Sequence, residues 1–417
     1  MQRTLIPIGP VQVLGFCLAI TLFELLTYMA SDMIMPAMLT VTQDFAADQR
    51  HVPNAFNLYL LGGVCLQWLI GPLSDRFGRR RLLLIGSAMF GVAITAAYAS
   101  QSIEVFNVLR LIQGMGLGFV VAVSYPALQE VFCEADAVRL MALLGNVALL
   151  SPLLAPLLGG LLLEWLSWRQ LFLGLGLTAA LAWLGLYLYM PETIGAVRLD
   201  GGQQAPVPLC MRRMVERYLA LLRNRSLLCA SLALGLMSLP LIAWIGLTPL
   251  LLIQRHGFSP VQYGLWQIPV FSAVIIGNLI LDRLLPRYPL PRLIRLALWP
   301  YCLGLLALLG SALAASSVTL LVAALALYAV GLGMSNAALY RLALFASDDS
   351  KGLVSALIGM LSIAVMGTGG SLIAALGGGE NLQAFALWAA MGGLLCLPFL
   401  RRVLHNNARA PTPVTPR

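Results

Sequence analysis

The chain has 417 residues, of which 60% are hydrophobic and only 10% charged, and its mean hydropathy is +0.87. A soluble domain averages about 45–50% apolar and about 25% charged residues, so a water-soluble globular fold is excluded and lipid is the solvent. The net charge of +9 raises nucleic acid as a partner, and the placement of the cations, given below, excludes it.

Twelve apolar stretches follow in chain order: α1 (11–41), α2 (52–73), α3 (81–101), α4 (104–128), α5 (138–163), α6 (168–190), α7 (226–253), α8 (260–281), α9 (293–313), α10 (317–340), α11 (352–376) and α12 (381–400). Each has the roughly 20 residues that a spanning helix needs. The fold class expected is an all-α membrane protein. We expect α1 to stay in the mature chain, because its apolar run is too long for a signal peptide, it carries charges and no small-residue cleavage site follows it. Of the 26 Lys and Arg residues, 22 fall on the side of the N-terminus, three (Arg50, Arg169, Arg255) on the other, and Arg110 within α4. That asymmetry is the positive-inside rule, and it places both termini in the cytoplasm.

Within α1 stand Glu24 and Asp32. A charged side chain near the bilayer centre costs about 2.5–3.5 kcal/mol on insertion scales, so such groups face a protein interior or a wet cavity and mark ion or substrate paths. Eight residues at about 100° each leave them about 80° apart around the helix, so both can border one cavity. Between α2 and α3 runs GPLSDRFGRRR, residues 71–81. Here Gly71 is expected to let helices approach and Gly78 to permit the turn. Asp75 is placed to cap the helix or pair with an arginine, and Arg76, Arg79 and Arg80 to anchor the loop on the cytoplasmic side.

In α4, Arg110 precedes Gln113 in VLRLIQGMGLG. Counted from the middle of each stretch, Asp32 and Arg110 both sit six residues toward the periplasm. At about 1.5 Å per residue that puts them about 9 Å from the midplane on the same side. This depth predicts a partnership; an arginine bonded to backbone carbonyls is the alternative. Pro152, Pro156, Gly159 and Gly160 in α5 favour bending and tight packing. Residues 191–225 form the longest polar connection and separate six helices from six. Within it, Met211–Leu222 has the pattern of a short amphipathic helix on the cytoplasmic surface. The domains expected are 1–190 and 226–404, joined by the linker 191–225, with a tail at 405–417 that the prolines Pro411, Pro413 and Pro416 mark as disordered. Weak similarity between the halves, Gly116-Leu117-Gly118 in α4 against Gly331-Leu332-Gly333 in α10, predicts two pseudo-symmetric six-helix bundles. In the second half Leu236, Leu239 and Trp244 of α7, and Ile268 and Phe271 of α8, are cavity candidates. A broad apolar surface with two carboxylates suits cationic and neutral lipophilic drugs better than sugars.

The seven cysteines have no paired spacing, and the three histidines (His51, His256, His405) lie near helix ends or in the tail. No disulfide framework, metal motif or cofactor motif is expected, and no catalytic cluster.

The 71–81 loop resembles the signature loop of the major facilitator superfamily nearly residue for residue. The Arg110 motif resembles that of its proton-coupled members. Pro156, Gly159 and Gly160 are similar to the superfamily's antiporter motif, with Ser151 and Ala155 where glycines are expected. FELLTYMASDMIMPAML in α1, LRLIQG in α4, MSLPLIAWIG in α7 and LFASDDSKGLVSA after α10 resemble the MdfA-type multidrug/proton antiporters, over about residues 16–375. The resemblance implies a proton-driven efflux transporter of the bacterial inner membrane, working by alternating access. Glu24 and Asp32 would take part in proton and drug binding, Arg110 would support them, and Tyr28, Gln113 and Asn146 would lie in or beside the drug cavity. Ser31 stands where relatives often carry asparagine. Gly71, Asp75, Arg76, Gly78, Arg79 and Arg80 would form a latch between the halves. Protons, small lipophilic drugs and membrane lipids are the partners expected, with no nucleic acid and a monomeric chain. A proton-coupled transporter of a specific nutrient or metabolite remains the alternative.

Overall fold

The computed structural model describes residues 4–199, 201–203, 205–206, 210–313, 317–347, 349 and 351–409. Pro208, Asp348 and the tail prolines Pro411, Pro413 and Pro416 lie outside them. Among the described residues, β pairing is confined to two isolated bridges, Thr4 with Phe132 and Val197 with Gln203.

Ten helices are long and apolar enough to cross a membrane: α1 (Pro10–Asp44), α3 (Arg79–Tyr98), α4 (Ile103–Val131), α6 (Trp168–Tyr189), α7 (Arg225–Arg255), α8 (Pro260–Leu284), α9 (Leu290–Leu313), α10 (Val318–Leu344), α11 (Lys351–Gly378) and α12 (Leu382–His405). Among the described residues, two bent pairs bring the count up to twelve when each is one span: α2, from His51–Cys65 and Gln67–Phe77 at 41°, and α5, from Arg139–Ala148 and Leu150–Leu162 at 42°. The linker contains the expected amphipathic helix, Met211–Leu222, called the connector helix below.

The breaks have local causes. Pro152 has no N–H for the carbonyl of Ala148, and the two arms of α5 meet there. At the bend of α2 the Trp68 indole N–H donates to the Cys65 carbonyl at 3.0 Å. That bond holds a carbonyl which the interrupted ladder would leave open. α1 is not the continuous helix the hydropathy suggested. It runs as Pro10–Asp32, a 3₁₀ turn at Met35–Ala37, then Met38–Asp44. Pro36 cannot donate to the carbonyl of Asp32, so the regular ladder stops there. α4 carries one wide turn at Val120–Ser124, and Pro126 removes the N–H that would bond the Ala122 carbonyl within it.

The chain packs as two compact units. The first is the chain through Met211 together with Thr248–Gln267; the second is Arg212–Leu247 together with Ile268 onward. In the first, α2 and α4 touch backbone to backbone. A Cβ on Gly62 would strike the Leu111 carbonyl, and one on Gly114 the Tyr59 carbonyl. The second unit repeats the device between α8 and α10, where Gly277 meets the Val330 carbonyl and Gly333 the Val274 carbonyl. Small residues allow this approach where lipid supplies no hydrophobic drive between helices. Buried tyrosines complete the second unit. Tyr328 donates to the Met237 carbonyl at 2.6 Å and Tyr301 to the Gly393 carbonyl at 2.9 Å.

Gly114→Ala forces two backbones apart and is expected to destabilise the first unit by about 1–3 kcal/mol, the usual range for overpacking. Gly71→Ala meets nothing within 4 Å and is expected to be neutral. Thermal unfolding of both purified variants in one detergent is the check, and equal melting temperatures would contradict the packing described.

Candidate functional site

The break in α1 leaves a helix C-terminus inside the first unit, with the last carbonyls lacking helical partners. Arg110, fully buried, answers it. Its guanidinium donates to the carbonyls of Ala30 at 2.9 Å and Ser31 at 3.2 Å, and its Nε to that of Ala55 at 3.3 Å. Nη1 also donates to Gln113 Oε1 at 2.9 Å, while Gln113 Nε2 donates to the Ala93 carbonyl at 3.0 Å. The Tyr59 ring lies under the guanidinium at 4.6 Å, and the Tyr59 hydroxyl donates to the Thr27 carbonyl. A cation at a helix C-terminus meets the negative end of the helix dipole as well as the open carbonyls.

The level placement of Asp32 and Arg110 predicted an ion pair, and none within 4.0 Å joins them among the described residues. The guanidinium grips the helix that carries Asp32 rather than its carboxylate. The physical reason is the α1 break, which offers carbonyls closer to Arg110. Asp32 is buried at the end of this capped segment.

Glu24 lies two turns earlier, fully buried. Its Oε1 accepts from the Tyr125 hydroxyl at 2.8 Å, and its Oε2 has no hydrogen-bond partner. Tyr125 follows the wide turn of α4, which adds a residue to one turn and so re-aims what comes after it. The adjacent Ser124 hydroxyl is buried and unpartnered too. Sequence reasoning missed Tyr125, because a register shift of this kind has no signature in hydrophobic periodicity; Pro126 was the available clue. Tyr28 is half-buried on α1. Asn146 is exposed on α5, and no hydrogen bond ties it to the carboxylates among the described residues.

Two polar side chains of α8 belong to the same unit and were also missed. Tyr263 and Gln267 are fully buried, four residues apart, and neither the tyrosine hydroxyl nor either amide atom has a protein partner. Polar residues at helical spacing in an apolar helix were the signal. Of the α7 and α8 cavity candidates, Leu236 and Ile268 are half-buried and Phe271 is buried. Leu239 and Trp244 are packed inside the second unit, Leu239 against Gly369 and Gly392 and Trp244 against the Phe385 ring at 5.8 Å.

The signature loop corrects two expectations. A Cβ at Gly71 would meet no atom within 4 Å, so close helix approach is not its role. Arg79 is not a surface anchor. It is buried, pairing with Asp75 at 2.6 Å and Glu130 at 2.9 Å and donating to the Ser74 hydroxyl. Glu130 also accepts from the Thr193 hydroxyl at 2.5 Å. Glu192 Oε1 accepts from the backbone N–H of Arg79 at 2.8 Å, of Thr193 at 2.9 Å and of Ile194 at 3.2 Å. Gly78, with φ of +102°, turns the chain as expected, and a side chain there would strike the Glu192 carboxylate. Arg76 is exposed and lies over Phe77, while Arg80 donates to the Tyr187 carbonyl at 2.6 Å. Glu130, Glu192 and Thr193 were missed because their partners are 51 to 113 residues away in sequence.

The antiporter-like stretch of α5 is tightly packed within the first unit. A Cβ on Gly159 would strike the Met33 carbonyl at the α1 break, and one on Gly160 the Pro260 carbonyl at the start of α8. Pro152 and Pro156 lie in the same helix.

A multi-helix membrane bundle with carboxylates and an arginine buried in its interior is built as a transporter. The Major Facilitator Superfamily profile matches residues 20–370, and the chain belongs to that superfamily. It is 43% identical over 396 residues to the "Multidrug transporter MdfA" of Edwardsiella ictaluri, covering 94% of each chain. It is 44% identical over 398 residues to that of Yersinia pestis bv. Antiqua, covering 95% of each, and 42% over 392 residues to that of Escherichia coli O6:H1, covering 93% of each. Among solved structures it resembles a D-xylose-proton symporter, with TM-score 0.72 at 14% identity over 93% of this chain and 97% of that one. It also resembles the human organic anion transporter MFSD10, with TM-score 0.65 at 19% identity over 94% and 100%. The last two establish the fold alone. The chain is a multi-pass bacterial membrane transporter and not an enzyme.

The loop geometry moves the expected mutational sensitivity from Arg76 to the buried network. Glu130→Ala leaves Arg79 short of a partner, and breaking a buried ion pair costs about 3–5 kcal/mol. Arg76→Ala removes an exposed side chain and is expected to cost less than about 1 kcal/mol. Melting temperatures of the two purified variants give the comparison, and a larger loss from Arg76→Ala would overturn this ordering.

Proposed function

We propose that the chain exports cationic and neutral lipophilic drugs from the cytoplasm in exchange for periplasmic protons, by alternating access in the inner membrane. The observation that carries this is the chemistry around α1. The charge of Arg110 is satisfied by three backbone carbonyls, an amide oxygen and an aromatic ring. Asp32 is therefore left buried without an ion pair within 4.0 Å among the described residues. A buried carboxylate in that condition calls for a proton or an arriving cation. Proton and drug then compete for one negative charge, which is the essence of exchange. Glu24, held on one oxygen by Tyr125, is the second such group. Its open oxygen, with Ser124, Tyr263 and Gln267, offers hydrogen bonds in otherwise apolar surroundings. Tyr28, Gln113 and Asn146 are the remaining residues of the first unit assigned to drug binding.

The relatives named as multidrug transporters support drugs as cargo. A proton entering through 100 mV releases about 2.3 kcal/mol, and each pH unit about 1.4 kcal/mol more. That sustains a substantial uphill drug gradient. Both termini are assigned to the cytoplasm on the 22-to-3 distribution of cations. The working division is 1–190 and 226–404 around the linker 191–225, in a monomeric chain. The 71–81 loop with Glu130 and Glu192 acts as the conformational latch, and the Pro156–Gly160 stretch of α5 as the antiporter segment.

Asp32→Asn and Glu24→Gln are each expected to lower proton-driven transport of a monovalent lipophilic cation by about tenfold or more, equivalent to ~1.4 kcal/mol. The check is drug uptake into inside-out vesicles with an imposed pH gradient, at matched levels of inserted protein. Unchanged transport by both single variants and the double variant would remove the carboxylates from the mechanism.

A further inference from the structure

We propose that the connector helix is an interfacial binding element for anionic phospholipid, held against the cytoplasmic leaflet. Around its axis the helix divides into three sectors. Met214 and Leu221 are buried against the protein. Met211, Val215, Leu219 and Leu222 form a neighbouring apolar stripe that is exposed at 42%, 46%, 54% and 39%. Arg212, Arg213, Glu216 and Arg217 occupy the remaining, solvent-facing sector. At about 100° per residue the exposed apolar stripe spans about 80°, Arg212 stands at its edge, and Arg213 and Arg217 lie on the polar face beyond. Tyr218, half-buried on the apolar side, has its phenol pushed up to about 12 by burial, so it stays neutral.

Geometry decides between lipid and a soluble partner. Only Arg223 and Asn224 separate the connector helix from α7, which starts at Arg225. Two residues and their flanking bonds reach about 10 Å at most. Asn224 is itself fixed, its Oδ1 accepting from the N–H of Ser226 at 3.0 Å and Leu227 at 3.1 Å, and its Nδ2 donating to the Ala346 carbonyl at 2.9 Å. The C-terminal end of the apolar stripe, at Leu222, is thus tethered within about 10 Å of the start of a membrane-spanning helix, as an interfacial helix requires.

Charge selects the kind of lipid. Arg212 pairs with Glu216 at 3.0 Å, while Arg213 and Arg217 have no carboxylate partner among the described residues. A guanidinium presents a fork that matches a phosphate, and a basic residue at an anionic surface contributes a several-fold gain in affinity. Neutralising the pair is then worth about fivefold per arginine.

The test uses the purified full-length chain in detergent, titrated with phosphatidylglycerol or phosphatidylcholine, with bound lipid counted by native mass spectrometry. The wild type is expected to bind phosphatidylglycerol more tightly, and Arg213→Gln/Arg217→Gln to lose about 25-fold of that affinity. Arg213→Lys/Arg217→Lys, which keeps the charge, is expected to retain most of it. Arg401→Gln/Arg402→Gln, an exposed pair on α12, serves as the control and is expected to change little. Equal affinity of the wild type for the two lipids, or an equal loss from the control pair, would overturn the proposal. So would a dimer that dissociates on Leu219→Ser, which would assign the stripe to a second copy of the chain. Drug export plays no part in this readout, so the failure of either reading leaves the other standing.

Discussion

A guanidinium cannot sit bare in hydrocarbon, and the first unit is organised around that constraint. Arg110 is fully buried, and every element that satisfies it comes from a different part of the chain: the C-terminal carbonyls of the first segment of α1, a carbonyl and a ring of α2, and Gln113 of its own helix. The close backbone contact of α2 and α4 through Gly62 and Gly114 brings these groups within reach. The end of the first α1 segment at Asp32 leaves the Ala30 and Ser31 carbonyls to receive the charge. Because the arginine is bonded to backbone carbonyls, no ion pair within 4.0 Å reaches Asp32 among the described residues. The position of one cation therefore sets the chemistry available to one carboxylate.

The two carboxylates have different surroundings. Asp32 ends a helix whose terminal carbonyls are held by Arg110. Glu24 lies within the regular helix and shares one oxygen with Tyr125. That hydroxyl comes from beyond the wide turn of α4. The two carboxyl groups are therefore not equivalent. The network where α2 turns into α3 follows the same rule of satisfied burial. Arg79 is enclosed by Asp75, Glu130 and Ser74, and Glu192 closes the turn at Gly78.

The spans and their number were legible in the sequence because lipid permits few chain forms, and about 20 apolar residues announce a helix. The carboxylates were legible because charge in such a stretch is conspicuous. What escaped had a common origin. The break at Met33–Ala37, the bends of α2 and α5 and the wide turn before Tyr125 all arise where a backbone bond is lost. Hydropathy does not report backbone bonds, although Pro36, Pro126 and Pro152 mark three of these places. The depth count put Asp32 and Arg110 level but could not see that broken-helix carbonyls would outcompete the carboxylate. Arg79 was read as a surface cation because its partners Glu130 and Glu192 are distant in sequence. Gly71 was assigned a packing role from its motif, and only coordinates show the empty space around it.

The account rests on competition between proton and drug at a buried, unpaired carboxylate. Proton release on drug binding measures that competition most directly, read with a pH indicator in a weakly buffered solution of the purified protein. Addition of a monovalent lipophilic cation to the wild type is predicted to release protons in proportion to the drug bound. Asp32→Asn is predicted to lose that release, and an uncharged drug to cause little in either protein. Equal proton release by the wild type and by Asp32→Asn, with drug binding intact in both, would contradict the account.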